Sequence, residues 1–296
     1  MIKKYFDRVL SSVTKGELIF WWIMRLAMIG GIITTLILYS QANAQGLDAN
    51  VVHDTWAFAP QVKFNIEKGV YEFSTYNALQ MSANLVGLFA FEISQMFSKK
   101  SALRYLPAYY QNFSALQFFL TSFGGAFCNF YYSIPGFDKV LHATGCALAV
   151  FMGYELVGAI QRRDKVTVPK NIAVVYAVGI AFIFAAAWEL FEFTTDQWFG
   201  FDAQHWSYRN ALVEAGLPLD SADLNGLFNF IPLKGFSGEE QKMRFAIMDT
   251  MTDAILNAVG SIVMFIVLTI KPYLHSGSKD LNKMIEDEKA AEKADK

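Results

Sequence analysis

Three strings in this sequence set acids and a histidine at helical spacing inside otherwise apolar stretches. Asp138 and His142 lie four apart, Glu189, Glu192 and Asp196 follow at three and four, and Asp249, Asp253 and Asn257 at four and four. Residues at i, i+3, i+4 and i+7 share one face of a helix, so each string presents a single polar stripe. Ionisable groups within a membrane span are costly and avoid lipid, so the three stripes are expected to face one shared cavity. With a rise of about 1.5 Å per residue, His142, Glu192 and Asp253 lie roughly 6 Å deeper than Asp138, Asp196 and Asp249. Glu189 and Asn257 lie roughly 10 to 12 Å deeper.

Such a cavity holds about six carboxylates and one imidazole. Like charges and desolvation both oppose ionisation, so something must compensate. A divalent cation is the economical answer, because carboxylates and imidazole suit Mg, Mn, Zn or Fe, and a metal would activate water for attack on a lipid-linked ester or phosphoester. In that reading His142, Glu192, Asp196, Asp249 and Asp253 are ligands or acid/base groups, and Asp138, Glu189 and Asn257 orient them. Two other readings stay open. The carboxylates would share protons in a proton- or ion-coupled transporter or lipid-handling protein, or they form a structural network of helix ends at a wet interface. Whether the protein is an enzyme is left open by the residues alone.

The elements that must position these groups are membrane helices. The 296 residues are 54% hydrophobic and 16% aromatic with only 18% charged, and mean hydropathy is +0.27, on the apolar side of soluble domains. A spanning helix needs about 20 apolar residues. Six stretches meet or approach this, near 18–40, 79–97, 112–133, 138–161, 171–193 and 246–270. The expected fold is therefore an all-α polytopic bundle of six transmembrane helices. It forms one membrane-embedded domain over 1–275, with outer loops at 41–78 and 197–245 and a charged cytoplasmic tail at 276–296. Pro135 and Gly136 between the third and fourth stretches predict a tight hairpin turn.

Lys and Arg collect before the first stretch (Lys3, Lys4, Arg8, Lys15), after the second (Lys99, Lys100, Arg104), after the fourth (Arg162, Arg163, Lys165, Lys170) and after the sixth (Lys271). Basic connections stay cytoplasmic, so both termini are expected inside a bacterial inner membrane, with Trp56, Trp198 and Trp206 in outer loops. Ala42-Asn43-Ala44 has the A-x-A form of a signal-peptidase site, but the long leading polar region, the long apolar run and Arg25 within it favour retention of the first helix. Cleavage would leave five spans in the same orientation.

Arg25, Glu92 and Glu155 lie near the cytoplasmic ends, where a structural Arg–carboxylate pair is the expectation. His53, His205 and His275 are read as surface residues, and Gly30-Gly31 and Gly124-Gly125 as sites of close helix approach. Cys128 and Cys146 fall in apolar stretches as buried thiols, with no disulfide framework and no C-x-x-C spacing. The net charge of −2 conceals charge segregation, and no basic stripe for nucleic acid exists. G-x-S-x-G, H-E-x-x-H and Walker patterns are absent. The expected partners are the bilayer and a lipid or lipid-linked substrate.

Asp138-Lys139-Val140-Leu141-His142, Trp188-Glu189-Leu190-Phe191-Glu192-Phe193 with Asp196 and Phe199-Gly200, and Asp249-Thr250-Met251 with Asp253 and Asn257 closely resemble the YjdF family of bacterial membrane proteins. The D-K-x-x-H opening and the late acidic helix are more loosely similar to VanZ-like proteins. The strings cover the fourth to sixth stretches, roughly the second half of the chain. The outer loop from 197 to 245 is longer than the family pattern, and the first half offers no matching motif. The resemblance implies a small polytopic inner-membrane protein defined by its acid and histidine cluster, and it implies no reaction.

Overall fold

The structure, a computed structural model, describes residues 6, 9–55, 61–65, 70–134, 136–199, 203–204 and 239–270. Pro135, Trp56, His205, Trp206, His275, the tail 276–296 and most of the loop 197–245 fall outside the described residues, as does the side chain of His53. Among the described residues the architecture is a helix bundle with one small hairpin.

Helix α1 spans Lys15–Gln45 and starts at a capping box: the Glu17 amide donates to the Thr14 side chain, while the Glu17 carboxylate accepts from the Thr14 amide. It stops at Gly46, whose φ of 64° a residue with a Cβ adopts only at a cost. At 31 residues it is about 46 Å long, enough to cross a hydrocarbon core of about 30 Å. The Ala42-Asn43-Ala44 motif lies in its last turns, with Ala42 buried.

The segment expected as an outer loop at 41–78 has structure of its own. Helix α2 (Ala49–Thr55) is followed by an antiparallel hairpin of β1 (Val62–Asn65) and β2 (Val70–Phe73), with Val62 opposite Phe73. The Tyr71 amide donates to Asn50, tying β2 to α2, and the Asn77 amide donates to Gln61. The fold is thus helical with a two-stranded addition that the apolar-run pattern did not indicate.

The second and third expected spans are interrupted helices. The second consists of α3 (Tyr76–Gly87) and α4 (Ala90–Ser94). At the break the Leu88 carbonyl leaves the helical ladder and accepts from Arg25 Nε and Nη2 and from Gln111 Nε2. Gly87 faces the Phe118 ring, which a Cβ would strike. Side chains from distant segments thus satisfy a backbone group that hydrocarbon could not. The third, after a 3₁₀ turn at Ala102–Tyr105, consists of α5 (Tyr110–Phe119), a π-helical stretch (Leu120–Phe127) and α6 (Phe130–Ser133).

The remaining helices are continuous: α7 (Phe137–Asp164), α8 (Lys170–Phe199) and α9 (Glu239–Ile270). Gly136, with φ of 73°, turns the chain into α7. Among the described residues four helices are long and apolar enough to cross a membrane: Lys15–Gln45, Phe137–Asp164, Lys170–Trp198 and Asp249–Ile270.

The spans bury polar groups beside two apolar core clusters while exposing large apolar side chains. On α9, Asp249, Thr252, Asp253, Asn257 and Ser261 are buried, while Met251, Ile255, Val259 and Ile262 are exposed. On α1, Arg25 and Thr35 are buried and Ile19, Ile23, Leu26 and Ile37 are exposed. A water-soluble fold would reverse this, so lipid is the solvent that suits the exposed face.

Helices α7, α8 and α9 approach closely because small residues line their seams. A Cβ on Gly153 would meet the Ala177 backbone at 3.0 Å, and one on Gly260 would run into the Ala143 carbonyl. Of the two glycine pairs singled out in the sequence, Gly31 packs on Met81 and Phe123, Gly124 on Phe130 and Gly125 on Tyr131, whereas Gly30 has open space.

Candidate functional site

The start of α7, the late part of α8 and the early part of α9 meet at one end of the bundle, and all three polar stripes turn inward there. His142 is 8% exposed and stands at the centre. Its Nε2 is 3.5 Å from Asp138 Oδ1 and 3.7 Å from Asp253 Oδ2. On the opposite edge of the ring, Nδ1 is 3.7 Å from Glu189 Oε1. The imidazole therefore separates two carboxylate groups.

The first group is held by a cation. Lys139 Nζ donates to Asp138 Oδ2 at 3.1 Å, to Asp253 Oδ2 at 3.1 Å and to Asp249. Asp249 is 2% exposed and Asp253 1%, so two deeply buried acids share one ammonium. The second group, Glu189 and Glu192, has no such cation among the described residues. Both oxygens of Glu189 are buried without a hydrogen-bond partner, and Glu192 Oε1 accepts from Trp188 Nε1 at 2.7 Å. Oδ1 of Asp253 and the hydroxyl of Thr252 are also buried without a partner.

Among the described residues two triads offer ligand atoms within 4.8 Å of one another: Asp138, His142 and Asp253, and His142, Glu189 and Glu192. Both contain imidazole and carboxylate donors, a set suited to first-row divalent ions.

The other sequence candidates lie around this centre. Asp196 is buried at the rim, where it accepts the amides of Ala203 at 2.8 Å and Gln204 at 3.0 Å. Gln204 donates in turn to Thr250 at 2.8 Å, joining the chain beyond α8 to the early part of α9. Asn257 is buried one turn beyond Asp253 on the same face. Seven of the eight candidates thus contact one another or their neighbours at this end of the bundle, but among the described residues only Asp138, His142, Glu189, Glu192 and Asp253 form the two triads.

Sequence reading did not assign a role to Lys139. Its position three residues before His142 puts both on one face of α7, and that spacing was the available signal. Tyr76, at the start of α3, lies within electrostatic reach of Glu192 and Asp196, so the first half of the chain also borders the site. Gln117, from α5, donates to the Leu141 carbonyl at 3.1 Å and packs closely against Gly145, where a Cβ would stand 3.0 Å from its Nε2.

The second ionisable set is separate. Arg25 Nη2 meets Glu92 at 2.6 Å, and its guanidinium lies 3.8 Å from the centroid of Phe89 and 5.3 Å from that of Trp22. This is the Arg–carboxylate pair expected from the sequence. Glu155 is buried farther along α7, with Arg162 at 3.9 Å, and takes no part in the His142 centre.

Comparison with known proteins places these residues in a family. A family model described as a predicted membrane protein (DUF2238) matches residues 68–272, more than half of the chain. The chain belongs to the DUF2238 family. The YjdF family is this DUF2238 family, so the resemblance carried by the three acidic strings holds. The DUF2238 match begins just before β2 and ends just beyond α9, so it includes every residue of the His142 centre and excludes Arg25. No curated protein and no solved structure matches the chain.

Proposed function

We propose that this DUF2238 protein is a six-pass protein of a bacterial inner membrane. Its His142 centre opens to the non-cytoplasmic side and serves a metal-dependent enzyme acting on a lipid or lipid-linked envelope substrate. The basic connections after the second, fourth and sixth stretches support cytoplasmic termini. The interrupted segments 76–94 and 110–133 supply the two spans beyond the four long helices.

The observation that carries the reading is the meeting of His142 with Asp138, Asp253 and Glu189 from three helices at 3.5 to 3.7 Å, in a site sealed from lipid by its own apolar faces. A divalent cation in such a site lowers the pKa of water and polarises an ester or phosphoester oxygen. The chain's own acids supply the remaining steps. Glu192 or Asp253 takes the proton from the attacking water and returns it to the leaving oxygen, while Asp138 fixes the His142 ring through Nε2. Asp249 anchors Lys139, and Asp196 and Asn257 hold the rim and floor.

Metal analysis of detergent-purified protein, repeated on His142→Ala and Asp253→Asn, tests this. Stoichiometric metal that His142→Ala loses supports it, and the Asp253→Asn result tells which carboxylate edge holds the ion. Metal-free protein whose thermal stability ignores divalent ions removes it.

A second reading draws on the same ring. An imidazole with carboxylates at both nitrogens is a proton relay, as a proton-coupled transporter uses. Proton flux in liposomes, abolished by His142→Ala, would favour that reading over the enzyme.

A further inference from the structure

We propose that the cation of this centre sits on the Nδ1 edge of His142, held by His142, Glu189 and Glu192, and that Lys139 is a tethered cation filling the equivalent place among Asp138, Asp249 and Asp253. The centre is then mononuclear by construction. This assignment rests on the metal reading above and refines where the ion is.

The two edges of the imidazole differ in what already neutralises them. On the Nε2 edge, Asp138, Asp249 and Asp253 share the Lys139 ammonium. Nε2 stands 3.5 Å from Asp138, at the outer limit of a hydrogen bond, so that carboxylate can orient the ring. On the Nδ1 edge no ammonium or guanidinium group among the described residues contacts Glu189, and neither of its buried oxygens has a hydrogen-bond partner. A buried carboxylate in that condition is costly, and it is what a ligand looks like without its ion.

The spacing agrees. Nδ1 and Glu189 Oε1 are 3.7 Å apart, too far for a hydrogen bond. Two atoms each about 2.0 to 2.1 Å from a tetrahedral ion stand roughly 3.4 Å from one another, so little movement is needed to bracket one. Over nine-tenths of His142 is buried and its Nδ1 is aimed into this gap. Glu192, one turn along α8 from Glu189, provides the third donor within 4.8 Å. Three protein donors leave room for water or a substrate oxygen. Imidazole with two carboxylates suits a first-row ion such as Zn²⁺ or Mn²⁺.

A carboxylate would then stand on one side of the imidazole and the cation on the other. Asp138 holds Nε2, which fixes the tautomer that presents the Nδ1 lone pair. Lys139 keeps a second divalent ion from binding beside the first, because its ammonium already holds Asp249 Oδ1 and Asp253 Oδ2.

The test is equilibrium binding of Zn²⁺ alone and Mn²⁺ alone to the full-length protein in detergent, with monodispersity and thermal unfolding measured on every variant. Wild type should bind about one equivalent, Glu189→Gln should bind none, and Asp138→Asn should bind roughly 10 to 100-fold more weakly. Lys139→Met should bind about two equivalents, the second lost when Asp249→Asn is added. Should Lys139→Met be too unstable to purify, Lys139→Gln gives the same reading. Wild-type binding that survives Glu189→Gln and disappears with Asp249→Asn would overturn this assignment while leaving the metal reading intact. Wild-type protein that binds neither ion would overturn both. One equivalent in both Lys139 variants would overturn the role given to Lys139.

Discussion

Lys139 Nζ and Asp253 Oδ2 are 3.1 Å apart, joining α7 to α9 across 114 positions of sequence. The same ammonium serves Asp138 and Asp249, so one side chain compensates acids on two helices. Lys139→Met leaves Asp249 and Asp253 buried without it. Breaking a buried pair by removing one partner costs about 3 to 5 kcal/mol, and the variant should unfold at a clearly lower temperature in detergent. Millimolar Zn²⁺ or Mn²⁺ should restore part of the loss by replacing the missing charge, which a thermal scan with and without metal measures.

Arg25 acts in the same way at the other polar cluster, with a further duty toward the backbone. It neutralises Glu92 and donates twice to the Leu88 carbonyl at the break between α3 and α4. Arg25→Met should cost about 3 to 5 kcal/mol in a denaturant titration. Arg25→Lys should recover only part, because an ammonium lacks the planar face that lies on Phe89 and cannot reproduce the guanidinium's paired donors. Metal binding at His142 should be unchanged in folded Arg25→Lys, since the two clusters share no described contact.

What could be read from the sequence follows from which forces are local. The stripes Asp138–His142, Glu189–Glu192 and Asp249–Asp253 were legible because helical spacing puts each set on one face. Their convergence was legible because lipid leaves such faces only the bundle interior. The break at Leu88 was not, because its cause lies in Arg25 and Gln111, distant in sequence. The hairpin at Val62–Phe73 was missed for a related reason: four-residue strands give too short an alternation to register beside long apolar runs. The role of Lys139 was not legible because its partners Asp249 and Asp253 lie on another helix, more than a hundred residues away in sequence.

Gly260 tests whether the seam between α7 and α9 sets the site's dimensions. A Cβ there would collide with the Ala143 backbone, one residue from His142, and backbone cannot swing aside. Gly260→Ala should cost about 1 to 3 kcal/mol of overpacking and weaken metal binding by shifting the α7 backbone that holds His142 opposite Glu189. Gly30→Ala is the control: open space surrounds that position, and its stability should change by less than about 0.5 kcal/mol.

Asp196 separates a ligand from a rim support. Its Oδ1 accepts the Ala203 amide and its Oδ2 the Gln204 amide, so both oxygens already hold backbone donors that fix the chain after α8. Hydrogen bonds to a charged group are each worth about 1.5 to 3 kcal/mol, and losing both together should loosen the 203–204 turn and its link through Gln204 to Thr250. Asp196→Ala should therefore increase amide exchange and proteolysis near that turn. Asp196→Asn should be milder, since its side-chain oxygen still accepts one amide. Metal stoichiometry should stay at the wild-type value in both variants if Asp196 only shapes the rim. A full loss of metal in Asp196→Asn, with the turn still protected from exchange, would instead make Asp196 a ligand, because one retained amide bond with no bound ion is then the only change that matters.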